Sequence, residues 1–130
     1  MKKAVVICCR VILGAAFVVF GLNGFLHFIP MPPPAAGSPA AVLWGGFFES
    51  KYMVPLIFGT QAVSGLLILS GIFLPLGLIL LAPVLVNILL FHLFLEPAGI
   101  VLPVVLAVLY LILVSAYWSK FKGLLSVKRD

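Results

Sequence analysis

Charge is scarce in this chain. Only 8% of its 130 residues are Asp, Glu, Lys or Arg, against 65% hydrophobic residues. An ordinary soluble domain is about 25% charged, and a soluble fold of this size needs a polar coat that three acidic and eight basic residues do not provide. A soluble globular enzyme is excluded. So is a disordered chain, which requires low hydrophobicity. With a mean hydropathy of +1.37, most of this surface has hydrocarbon as its solvent.

Cysteine is nearly absent as well. Cys8 and Cys9 are the only two, and they are adjacent, so there is no CxxC. A thioredoxin-type redox pair and a zinc cluster are excluded, as are the small membrane disulfide-exchange enzymes, which need paired reactive thiols. No Gly-rich phosphate loop and no dinucleotide fingerprint occurs. The first apolar segment carries no acidic residue, unlike the small proton-coupled drug exporters of similar length. Continuous apolar runs, in place of strict alternation, exclude a membrane β-barrel.

What is present is long apolar sequence with a few breaks. Pro30-Met31-Pro32-Pro33-Pro34 ends the first run, Leu74-Pro75-Leu76-Gly77 divides the second, and Glu96-Pro97-Ala98-Gly99 precedes the third. A span needs roughly 20 apolar residues. The sequence therefore predicts an all-α, polytopic four-helix membrane bundle in one domain, 1–130, with helices at about 5–29, 54–73, 76–95 and 100–118. A Pro-rich outer loop covers 30–53 and a tail covers 119–130. Within the loop, the segment from Ala40 to Ser50 is too short to span. It is expected either as a short helix in the interface or over the bundle mouth, or as a plain connector.

Seven of the eight basic residues flank the two chain ends, and only Lys51 lies elsewhere. An even number of spans puts both ends on one side, and the positive-inside rule makes that side cytoplasmic. The expectation is an N-in/C-in protein of the bacterial inner membrane. Trp44 and Tyr52 would sit at the outer interface, and Tyr117 and Trp118 at the inner one. Basic residues placed this way are topology signals, so the net charge of +5 points to the lipid bilayer as partner and not to nucleic acid. An N-terminal signal peptide fits poorly, because Arg10 interrupts the apolar run early.

Polar side chains inside a span are costly and usually face the bundle. Asn23 and His27 stand four apart, as do His92 and Glu96, so each pair is expected on one helix face. Helices one and three run in the same direction, which puts both pairs toward the outer end, with Gln61 about two turns into helix two and Asn87 somewhat deeper than His92. An outward-opening cluster of Asn23, His27, Gln61, Asn87, His92 and Glu96 would suit a polar head on an apolar body, such as a quinone. Its carbonyls need hydrogen-bond donors, and a His beside a carboxylate can carry protons. Against this stands the plain reading, interhelical hydrogen bonding. His27 and His92 at similar depth also raise bis-His haem ligation, for which two histidines are weak evidence. No metal site is expected.

Other residues have structural readings. Arg10 either snorkels to headgroups or ties to carbonyls of a neighbouring helix. Pro83 deprives the Ile79 carbonyl of its donor and predicts a kink. Gly14, Gly21 and Gly65 read as close-packing positions, and Cys8 and Cys9 as lipid-facing.

The run Arg10-Val-Ile-Leu-Gly14 followed by Phe20-Gly-Leu-Asn-Gly-Phe-Leu-His-Phe-Ile-Pro-Met-Pro-Pro33 resembles helix one of the DoxX family of small bacterial membrane proteins. Leu81-Ala-Pro-Val-Leu-Val-Asn-Ile-Leu-Leu-Phe-His-Leu-Phe94 resembles its third helix. Gly65-Leu-Leu-Ile-Leu69 and Phe73-Leu-Pro-Leu-Gly77 resemble its second helix and hinge. Gln61 departs from the pattern, which has an acidic residue there. The resemblance implies four helices and an association with quinol oxidase and thiosulfate–quinone oxidoreductase complexes through a partner subunit. The matched positions are Asn23, His27, Asn87 and His92. The competing expectations are a non-catalytic scaffold or assembly subunit and a small-solute transporter.

Overall fold

The computed structural model describes residues 2–125, and every described regular element is helical. Six α-helices follow one another: α1 (Lys3–Leu26), α2 (Pro39–Ser50), α3 (Met53–Ser70), α4 (Leu74–Phe94), α5 (Val101–Ala116) and α6 (Trp118–Phe121). Single 3-10 turns at Pro97–Gly99 and Lys122–Leu125 complete them. Helices α1, α3 and α4 are long and apolar enough to cross a membrane. At 16 residues, α5 is about 24 Å long, short of a hydrocarbon core about 30 Å thick. The chain bends by 72° before Trp118, and only α5 together with the bent segment to Leu125 makes a fourth candidate span.

α1 packs most extensively on α3, α3 on α4, and α5 touches both α1 and α4. Glycine explains the first of these contacts. A Cβ on Gly14 would lie 2.6 Å from the Leu69 backbone nitrogen, and one on Gly65 would lie 2.6 Å from that of Val18. A Cβ on Gly21 would collide with the Ala62 backbone. The two backbones are thus in contact along about two turns, antiparallel, with Gly14 beside Leu69 and Gly21 beside Ala62. Between helices in lipid, packing of this kind takes over the role of the hydrophobic effect. The shared core is Leu13 and Phe17 of α1, Ile68 of α3, Leu74, Leu78 and Leu81 of α4, and Leu113 of α5, each at most 2% exposed.

Several boundaries differ from the sequence expectation. α1 ends at Leu26, not 29, because His27 takes a left-handed conformation (φ 53°) and closes the helix. The break between α3 and α4 lies at Gly71 (φ 77°) and Phe73 (φ 52°), ahead of Pro75. Pro75 instead sits in the first turn of α4, where a proline lacks no needed N–H. α4 runs unbroken through Pro83. The region 30–53 is not all loop. Ser38 Oγ accepts from the Ala41 N–H at 3.2 Å and Pro39 takes the first turn, an N-terminal cap that starts α2. The tail from 119 begins in α6, and 126–130, with Lys128 and Arg129, lie outside the described residues. Cys8 is exposed as expected, whereas Cys9 is buried in the core.

Candidate functional site

No side-chain hydrogen bond joins any two of the six polar residues. At the end of α1, the Asn23 amide is engaged by the chain itself. The Ile29 N–H donates to Asn23 Oδ1 at 2.7 Å, and Asn23 Nδ2 donates to the Ile29 carbonyl at 3.2 Å. The Asn23 carbonyl also accepts the His27 N–H at 2.9 Å. Asn23, 7% exposed, therefore clamps the segment leaving α1, and that clamp turns His27 outward. His27 is exposed, which removes it from the expected shared face with Asn23. α1 and α4 do not pack as neighbours in the way α1 and α3 do.

Asn87 is exposed on the outer surface of α4, contrary to the expected inward face. It lies beside Val86, also exposed, on the side away from buried Leu81 and Leu85. Glu96 falls two residues beyond the end of α4, with φ −138° and ψ 66°. The helical i, i+4 relation to His92 does not exist there. The His92 ring turns back along its own helix instead, with Nδ1 2.9 Å from the Ile88 carbonyl. A carbonyl only accepts, so Nδ1 is the donor in this contact, and Nε2 is free to accept when the ring carries a single proton. Nε2 faces Gly99, where an added Cβ would lie 3.3 Å away.

Gln61 lies about two turns into α3, as the sequence placed it, one of three buried polar side chains among the described residues. It is 5% exposed, and Ser64, a turn deeper on the same helix, is fully buried. The Ser64 hydroxyl is buried without a partner among the described residues, whereas the Gln61 carboxamide makes no side-chain hydrogen bond there but is not fully enclosed. One turn from Gln61 toward the mouth, Phe58 meets an aromatic group that the sequence reading did not assemble. Trp44 of α2 stacks on Phe58 (6.1 Å between centroids, 18°) and stands edge-on to Phe91 of α4 (6.2 Å, 77°). Phe47 and Phe48 flank Trp44, and Phe91 is edge-on to His92 (5.3 Å). Trp44 thus bridges the ends of α3 and α4. Trp44, Phe47 and Phe48 fall at i, i+3 and i+4, the signal of a single helix face, but the partners of that face are set by the fold.

At the opposite end Arg10 leans on the α3–α4 turn. Its Nη1 is 3.1 Å from where a Gly71 Cβ would be, and its buried Nε has no partner. Tyr110 ties α5 to α4, its hydroxyl donating to the Leu78 carbonyl at 2.9 Å. A cavity of about 500 Å³ between α1 and α5 is lined by Lys3, Val6, Ser115, Ala116 and Tyr117. A second, of about 260 Å³, lies among α4, α5 and α6, against Tyr110 and Trp118. Neither includes any of the six polar residues. Among the described residues no group of three His, Cys, Asp or Glu side chains gathers to hold a metal ion. The chain matches no family model, and no curated protein or solved structure is significantly similar to it.

Proposed function

We propose that this chain is a DoxX-like protein of the bacterial inner membrane with four spans, both termini cytoplasmic, that binds the head of a quinone at its outer mouth for a partner oxidoreductase. The observation that carries the reading is the Gln61 carboxamide. It is nearly buried, has no partner among the described residues, and lies one helical turn below the Trp44–Phe58–Phe91 group. The carboxamide keeps a little exposure at an otherwise buried residue and can donate to a ligand. A quinone carbonyl would accept from it, and aromatic faces suit a flat ring. His92 Nε2, an acceptor at the same end, fits a quinol hydroxyl. The four-span arrangement rests on counting α5 with its bent continuation, and the orientation on Lys2, Lys3, Arg10, Lys120 and Lys122 at one end against Lys51 at the other.

The test uses Trp44 as reporter in a Trp118→Phe background. A short-chain benzoquinone should quench its fluorescence saturably, while the same chain on a benzene ring should not. Gln61→Leu should weaken quinone affinity about tenfold, equivalent to ~1.4 kcal/mol. Equal quenching by both compounds, or unchanged affinity in the variant, refutes the site. For topology, in a Cys8→Ser, Cys9→Ala background, an impermeant thiol reagent applied to cells should label Ser38→Cys and not Gly123→Cys.

The second reading is a scaffold subunit without ligand. Asn23 and Tyr110, whose polar groups only hold backbone, favour it. It predicts that Gln61→Leu lowers recovery of the partner complex and leaves quenching unaltered.

A further inference from the structure

α4 carries a surface stripe that neither its own bundle nor the outer mouth uses. Leu76, Leu80, Pro83, Asn87, Leu90 and Phe94 are all exposed, and their spacing alternates four and three. That is the seam of a left-handed helix pair, with Asn87 at an a position. In lipid the leucines alone do not drive association, because the acyl chains are equally apolar. The amide is different. Asn87 lies seven residues before the end of α4, about 10 Å along the axis, between apolar neighbours. The surface hydroxyls of α3 are satisfied locally. Thr60 donates to the Leu56 carbonyl at 2.7 Å and Ser70 to that of Leu67 at 3.3 Å. Asn87 has no partner among the described residues.

We infer that Asn87 is the centre of a homodimer interface, α4 against α4 of a second copy. Two features select the second copy as occupant. Copies inserted by the same charge signals share one orientation, so their α4 helices meet parallel about an axis normal to the membrane, and in a parallel pair each a position faces its equivalent. A carboxamide is also complementary to itself. The NH2 of one Asn87 donates to the oxygen of the other, and the reverse bond forms too. The 4–3 spacing continues on both sides of Asn87, so the amide pair sets the register while leucines pack around it.

The test measures Förster transfer in liposomes between copies labelled at Gly46→Cys in the Cys8→Ser, Cys9→Ala background. Asn87→Leu should raise the dissociation constant about tenfold, equivalent to ~1.4 kcal/mol, with unchanged helicity and melting, since the side chain holds nothing within its own chain. In unlabelled protein of the same background, oxidation should cross-link Leu90→Cys on the seam but not Leu66→Cys on the exposed face of α3. Transfer no higher than random proximity for the parent protein overturns the inference, including the case where a different protein occupies the stripe. Unchanged transfer in Asn87→Leu, or equal cross-linking at both positions, overturns it too.

Discussion

Replacing Gly65 by Ala tests the contact that organises the fold. The added methyl would lie 2.6 Å from the Val18 nitrogen, 2.8 Å from the Gly14 oxygen and 2.9 Å from the Phe17 carbonyl carbon. These are backbone atoms of α1, so no rotamer change relieves the overlap. Non-bonded heavy atoms rest at about 3.5–4.0 Å, so the helices must separate by about 1 Å. A gap of about 0.5–1 Å forfeits a quarter to a half of each dispersion well along a contact that runs from Gly14 to Gly21. Overpacking of this kind is destabilising by about 1–3 kcal/mol. Alanine also favours the helix over glycine by up to about 1 kcal/mol, which partly masks the loss. Gly46→Ala supplies the reference, because a methyl there on α2 meets nothing within 4 Å. Unfolding in mixed micelles with increasing SDS, followed by far-ultraviolet circular dichroism, should place Gly65→Ala about 1–3 kcal/mol below Gly46→Ala. If Gly65→Ala equals Gly46→Ala, the close α1–α3 approach is wrong, and the depth assignments built on it fall with it.

Three further substitutions probe the polar groups. Asn23→Ala removes both bonds to Ile29 and leaves a half-buried N–H and carbonyl short of partners, so stability should fall by about 0.5–1.5 kcal/mol and amide exchange at Ile29 should accelerate. Unchanged exchange at Ile29 would show that Asn23 does not hold the segment. Tyr110→Phe deletes only the bond to Leu78 and should lower stability by about 0.6–2 kcal/mol in the same SDS titration, and a neutral result would count against that bond. Ser64→Ala removes a fully buried hydroxyl that has no partner among the described residues, so it should be neutral or stabilising. A loss above about 1 kcal/mol would mean that the hydroxyl is satisfied in the bilayer.

The sequence by itself determined the solvent, the helical class and the approximate spans, because hydrocarbon tolerates only helices or closed barrels whose backbone groups are satisfied internally. It marked Gly14, Gly21 and Gly65 as close-packing positions, since only small residues let helix backbones touch. For the stretch from Ala40 to Ser50, too short to span, it left a short helix and a plain connector both open, and the Ser38 cap of α2 decides between them. Which way each polar side chain faces was decided only by tertiary structure. An i, i+4 spacing states that two residues share a face if the helix continues. It fails at His27, where the Asn23 clamp ends α1, and at Glu96, which lies past the end of α4. Nor does polarity identify the inward face of α4, whose sequence is apolar on nearly every side. Asn87 was expected inside, yet buried Leu78, Leu81 and Leu85 take that position, because α4 is oriented by Gly77 against α3 and by Tyr110 reaching Leu78 from α5. Rotation of a helix about its axis is set by packing with its neighbours, and in an almost uniformly apolar helix local sequence carries little record of that choice.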